Sequence, residues 1–187
     1  VAWWPLAALW LRHYAFCEAP VARNHAAKAI AGLLVVVPAW AAAVALHGQA
    51  AHGHGWLLFV VLLVWCADVC AYFAGRRYGK ARLAPRISPG KTVAGVYGAL
   101  LGSVAFAVAA GTLLGARGGG LAALVALALV TVGVSIVGDL YESLIKRHSQ
   151  VKDSGTLFPG HGGVFDRFDS LFAALPVFAA GKWLLGL

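Results

Sequence analysis

Five stretches of this sequence are apolar over lengths close to those needed to cross a bilayer, and nothing else in it restricts the possible folds so strongly. They run through residues 27–46, 56–75, 93–115, 120–138 and from about 164 to 187. A transmembrane helix needs roughly 20 mostly apolar residues. Charged side chains make up 12% of the chain, against about 25% in a soluble domain. A further segment, 3–16 (WWPLAALWLRHYAF), is apolar and aromatic and ends at Arg12 and His13, as the tail of a spanning helix would. The expected fold is all-α and polytopic, with about five complete transmembrane helices and a partial N-terminal one. The chain has no Met and opens inside an apolar stretch, which suggests N-terminal truncation.

The charges between the runs set the topology. Lys and Arg number three in 12–28, none in 47–55, six in 76–91, one in 116–119 and four in 146–167. Alternation of this kind places 12–28, 76–91 and 146–167 on the cytoplasmic side. The net charge of +8 therefore reads as loops facing anionic lipid rather than as a nucleic-acid surface. Cys66 and Cys70, four apart in an apolar run, read as small packing side chains. The loop HGQAAHGHG at 47–55 has three histidines but no carboxylate or cysteine, so solvated histidines are expected there rather than a metal site.

The acids are distributed unevenly. Six of the seven are Asp68, Asp139, Glu142, Asp153, Asp166 and Asp169. Carboxylates are costly beside hydrocarbon, and a chain that retains them in one cluster has a use for them. Asp68 lies in or near the end of the 56–75 run, on a helical face with Trp65, Ala71, Tyr72 and Gly75. Asp139, Glu142, Ser143 and Lys146 follow i, i+3, i+4, i+7 spacing, the polar face of a short cytoplasmic helix expected after the 120–138 span. Asp166, Asp169 and Ser170 share the first turns of the last helix.

Two segments complete the pattern. Ser88-Pro89-Gly90-Lys91-Thr92 reads as a Pro-Gly turn leading into a helix, where backbone N–H groups, a cation and a hydroxyl meet an anion; it lacks the spacing of a Walker loop. Pro159-Gly160-His161-Gly162-Gly163 allows close backbone approach to a ligand, with Lys146, Arg147, Lys152 and Arg167 at the same level. Hard oxygen donors without His-Cys spacing suit Mg²⁺. Acids, a metal and a cationic frame are what phosphoryl or nucleotidyl transfer requires.

The run Ser143, Lys146-Arg147, Lys152-Asp153, Gly155, Pro159, His161-Gly162-Gly163, Asp166-Arg167, Asp169 resembles the signature of the phosphatidate cytidylyltransferase (CDP-diacylglycerol synthase) family. Trp65, Asp68, Ala71 and Tyr72, then Ser88 to Thr92, then Gly138 to Ser143 extend the likeness over about residues 60–180. The resemblance implies a single transmembrane cytidylyltransferase domain over 1–187, with its catalytic signature at 138–170. It implies transfer of CMP from CTP to phosphatidic acid, with Mg²⁺ and room for a second cation, in the bacterial inner membrane with the site facing the cytoplasm. It implies Asp139 and Asp166 as the metal centre, to which Asp68 and Asp169 are candidate additions. Lys146, Arg147, Lys152 and Arg167 are then candidates for phosphate neutralisation. Ser88, Lys91, Thr92, Ser143, Asp153, His161, Gly162 and Gly163 are candidates for substrate binding. Longer members and homodimers also fit the family. The alternatives are a related CTP-dependent enzyme acting on another lipid, such as a CDP-archaeol synthase or a polyprenol or phytol kinase; a transporter; and an inactive scaffold.

Overall fold

The computed structural model describes residues 3–12, 25–49, 53–151, 153–155 and 163–187. The elements are α1 (Trp3–Arg12), α2 (His25–His47), α3 (Gly53–Tyr78), β1 (Arg82–Ala84), β2 (Ser88–Thr92), α4 (Val93–Leu113), α5 (Gly118–His148) and α6 (Phe165–Leu185). Five of the helices are long and apolar enough to cross a membrane: Ala29–His47, Gly53–Tyr78, Val93–Leu113, Gly118–Arg147 and Phe165–Leu185. This is a multi-pass membrane protein, and the five expected spans match its helices closely.

Helix α3 packs along α4, α5 lies between α4 and α6, and α2 closes on α6. Their shared core is aromatic at one level, where Trp56, Phe59, Phe106 and Phe178 meet. Below it lie Leu63, Val64, Leu124, Ala128 and Val132. Outward-facing side chains such as Leu33, Trp40, Phe73 and Leu101 are exposed and apolar, as lipid contact requires. Helix α1 spans only 10 residues and sets Trp3 and Trp4 edge-on against Tyr141 of α5.

The α3–α4 seam depends on glycine. A Cβ on Gly98 would meet the side chain of Ala74 and lie 2.8 Å from the Cys70 carbonyl, and one on Gly102 would strike the Cys70 side chain. Absent side chains let the two backbones approach, and Cys66 Sγ donates to the Gly102 carbonyl at 3.9 Å. The small-residue face of α4 is thus used inside the chain and is not a free surface for a second copy.

Two expectations are corrected. The polar-faced segment from Asp139 is not a separate short helix. It is the end of α5, whose 31 residues extend about 46 Å. A hydrocarbon core of roughly 30 Å leaves several turns for the polar side. Ser88–Thr92 leads into helix α4 as expected, but as strand β2, antiparallel to β1, rather than as a turn. The turn falls at 85–87, where Pro85 follows Ala84 and the Ile87 N–H donates to the Ala84 carbonyl at 3.2 Å. Arg82 pairs with Thr92 and Ala84 with Ser88, so β2 carries extra residues between the pairs. Pro89, which has no N–H to give a ladder, sits in that irregular stretch.

The connections place the hairpin, the end of α5 and the start of α6 at one end of the bundle. At the other end, Lys182 of α6 is buried, donates to Gln49 Oε1 at 3.0 Å and lies over the Trp56 ring. Gly98→Val is expected to wedge α3 from α4 at a cost of about 1–3 kcal/mol. A fall in the thermal unfolding midpoint in detergent would register it, and an unchanged midpoint would refute the close packing described.

Candidate active site

The site forms where helices α3, α5 and α6 end or begin beside the hairpin. Thr92 caps α4: its hydroxyl oxygen accepts from the Gly95 N–H at 3.1 Å, which fixes where β2 stops and the helix starts. One residue earlier, Lys91 reaches across to form an ion pair with Asp139 of α5. Asp139 also accepts from Ser143 Oγ at 3.4 Å, one turn further on. Asp68, from α3, lies within electrostatic reach of Asp139, Asp169 and Lys91. It is open to a cleft of about 580 Å³ whose lining includes Asp68, Tyr72, Arg76, Arg82, Lys91 and Asp139.

The second half of the site is a clasp around Asp166. Its Oδ1 accepts from Lys146 Nζ at 2.6 Å. Its Oδ2 accepts from the Ser154 N–H and hydroxyl, both at 2.8 Å, and from the Gly163 N–H at 2.7 Å. One carboxylate at the head of α6 thereby ties α5 to both ends of the 154–163 connection. Gly163 must be glycine here, because a Cβ would come within 2.7 Å of Ser154 Oγ and 2.8 Å of the Gly155 nitrogen. Lys146 also lies 3.4 Å from Glu142. Both Glu142 oxygens are buried without a hydrogen bond, and Asp169 is the neighbouring carboxylate. Asp169 itself accepts from the Ser170 N–H at 2.6 Å.

The expected residues thus fall into groups. Asp68, Lys91, Asp139 and Ser143 meet on one side and Glu142, Lys146 and Asp166 on the other, with Asp169 within reach of both. Thr92 lines the cleft, but its oxygen is already committed to the cap. Ser88 lies on β2 away from the cleft lining. Arg147 is exposed, with Nε donating to the Ile87 carbonyl at 3.3 Å, so it braces the hairpin against α5. Asp153 and Arg167 are exposed. Lys152, His161 and Gly162 lie outside the described residues. Trp65 points outward, 51% exposed, whereas Asp68, Ala71, Tyr72 and Gly75 line the cleft as one face. Sequence reasoning missed Ser154, a hydroxyl nine positions before the tail of the glycine run, and the cleft arginines Arg76 and Arg82, which read as topology charge alone.

Among the described residues no three His, Cys, Asp or Glu side chains converge as a ready-made metal cage. The donor set nevertheless fits a hard divalent cation. Five carboxylates, Asp68, Asp139, Glu142, Asp166 and Asp169, gather here, and among the described residues Lys91 pairs with Asp139 and Lys146 with Glu142 and Asp166. Mg²⁺ needs just one or two carboxylates beside waters and substrate phosphates.

An all-helical membrane bundle with acids, lysines and a glycine-bearing connection at one end defines a candidate membrane-embedded phosphoryl- or nucleotidyl-transfer site. The chain belongs to the cytidylyltransferase family, whose model matches residues 1–184. It is 48% identical over 155 residues to the phosphatidate cytidylyltransferase of Pseudomonas aeruginosa, covering 83% of this chain and 57% of that protein. It is 40% identical over 189 residues to the Haemophilus influenzae protein of the same name, covering 96% and 65%. A Brucella suis relative, also a phosphatidate cytidylyltransferase, is 45% identical over 129 residues, covering 69% and 47%. The chain thus spans between about half and two thirds of the length of these curated relatives.

Lys146 is the hinge of the clasp. Lys146→Met should leave Glu142 and Asp166 facing each other uncompensated and lower stability by up to about 3 kcal/mol. Adding Glu142→Gln should recover part of that loss in thermal unfolding. No recovery would mean that charge balance is not what Lys146 supplies.

Proposed function

We propose that the protein transfers CMP from CTP to phosphatidic acid, giving CDP-diacylglycerol and pyrophosphate. The observation that carries this reading is the meeting of the Lys91–Asp139 pair and the Lys146–Asp166 clasp at one end of the bundle, beside a cleft sunk between membrane helices. The names of the relatives and the family membership support the same reaction. The family domain is proposed to occupy 1–187, with its catalytic signature at 138–170.

A phosphate oxygen of phosphatidic acid attacks the α-phosphorus of CTP. A new P–O bond forms, the bond to the β-phosphate breaks, and pyrophosphate leaves with the bonding electron pair. The attacking phosphate monoester is already largely ionised at neutral pH, so no side chain has to remove a proton. The chain's task is positioning and charge neutralisation. Lys146 and Lys91 supply cations within the described site, and Lys152, Arg147 and Arg167 are proposed to add theirs at its margin. The Asp166 clasp holds Ser154 and Gly163 beside α5, and His161 and Gly162 are proposed to shape the nucleotide pocket. Ser88, Ser143 and Asp153 are proposed as further substrate contacts.

Mg²⁺ is the proposed cofactor. When bound, it would neutralise triphosphate charge and polarise the phosphorus under attack. Asp139 and Asp166 are the proposed ligands, Asp166 in place of its Lys146 contact, with Asp68 and Asp169 adjoining. The proposed setting is the bacterial inner membrane, with the site on the cytoplasmic side where the basic segments 76–91 and 146–167 lie. A homodimer is proposed on family likeness, through a surface other than the α4 glycines.

The test uses detergent-solubilised protein with phosphatidic acid, Mg²⁺ and CTP labelled at either the α- or the γ-phosphate. Label from the α-position in chloroform-soluble lipid, with matched pyrophosphate release, is the expected result. Label from the γ-position with CDP release would identify a lipid kinase instead. Asp139→Asn and Asp166→Asn should each lower turnover roughly 100-fold or more, and retained turnover would remove that residue from the metal centre.

A further inference from the structure

The cleft beside Asp139 has a chemistry of its own. Its deeper lining is small and mostly apolar, formed by Ala67, Ala71, Val96, Ala99 and Ile136 from α3, α4 and α5, with Asp68 and Ser135 among them. Its mouth is cationic. Arg76, from the last turn of α3, and Arg82, on β1, both line it beside Lys91. Among the described residues the ion pairs all involve lysine, and neither Arg76 nor Arg82 takes part in one. Arg76 Nη1 donates to Tyr72 Oη at 3.2 Å and Arg82 Nη1 to the Pro89 carbonyl at 2.8 Å. Each contact fixes one nitrogen of a guanidinium that has five donor hydrogens, so most of each fork stays available. A loop that needed charge only for topology would not have to turn two forks into the same cavity.

The geometry points to this cleft as the seat of the acceptor phosphate, with Arg76 and Arg82 reading a membrane-borne phosphomonoester. This rests on the cytidylyl-transfer reading above and divides the site between its two substrates. The cleft ends at Asp139; Lys146 and Asp166, further along α5 and at the head of α6, are not among its lining residues. A phosphomonoester carries a charge of about −1.5 to −2; Lys91 is engaged by Asp139, so the two guanidinium groups are the cations of the cleft left to meet it, beside Asp68. A triphosphate carries more charge than these can meet. Tyr72 stands at the cleft's edge, 59% exposed on a spanning helix, so this wall meets the lipid phase. A mostly apolar lining below a cationic mouth matches an amphiphile whose phosphate sits at the interface, and planar forks bind phosphate oxygens in pairs. Asp139, lining the cleft and paired with Lys91, is the point where the two substrates meet.

The experiment measures KM for phosphatidic acid in mixed micelles, KM for CTP, and direct retention of radiolabelled phosphatidic acid on the purified protein without CTP. Arg76→Gln and Arg82→Gln are expected to raise KM for the lipid roughly tenfold or more each, leave KM for CTP within about twofold, and weaken lipid retention in step. Arg76→Lys should recover part of the lipid affinity, because charge without the fork remains. Unaltered thermal midpoints establish that the variants fold; if Arg82→Gln loosens the hairpin, Arg76→Gln and Arg76→Lys decide the matter alone. A rise in KM for CTP with lipid KM unchanged would assign the cleft to the triphosphate and overturn the inference. So would no change in either KM, or displacement of the lipid by inorganic phosphate at equal concentration. Absence of CMP transfer from the unaltered protein would refute the reaction reading, while lipid retention would still report on the arginines.

Discussion

Carboxylates crowded at the end of a membrane bundle repel one another unless cations stand between them, and the architecture of this chain follows from that constraint. Lys91 and Lys146 are the cations that the described residues supply. To bring Lys91 to Asp139, the chain must fold the segment after α3 back as a hairpin and cap α4 with Thr92. To bring Lys146 to Asp166, α5 must continue past the apolar span as an unbroken helix. The glycine seam between α3 and α4 lets Asp68 join the same cluster. The apolar core supplies most of the packing, but the charges decide where the ends of the helices lie.

Asp166 shows how one side chain can serve two requirements. Its hydrogen bonds to Ser154 and Gly163 fasten the ends of a connection that carries the glycine-histidine run, while its contact with Lys146 joins that connection to α5. Its second oxygen is fully occupied by three donors. Any cation that engages Asp166 must therefore compete with Lys146 at the first oxygen rather than with Ser154 and Gly163 at the second.

The spans were legible because apolar length is a property of sequence alone, and the five runs fall on α2 to α6, to within a few residues except at the end of α5. The common level of Ser88–Thr92 and Asp139–Asp169 was legible from the alternation of basic loops. The hairpin was not, because a three-residue strand has no periodicity to read; it forms where Arg82 and Arg147 hold its carbonyls. The continuity of α5 through Asp139 was hidden by the change from apolar to polar residues, which marks a boundary in environment and not in backbone. Lys182 was missed for the opposite reason. A lone lysine in an apolar run gives no sign that Gln49 and Trp56, far away in sequence, will receive it.

The length of α5 couples chemistry to the thickness of the bilayer. Its apolar part is anchored by packing against α4 and α6, and its polar turns are a rigid extension of the same rod. Hydrophobic mismatch acts on such a helix by tilting it or by deforming the surrounding lipid. Either response moves Asp139 and Lys146 relative to the head-group plane, because no joint separates them from the span. The height of the carboxylates relative to the head groups therefore follows the thickness of the host membrane, and the helix acts as a depth gauge for the residues at its end.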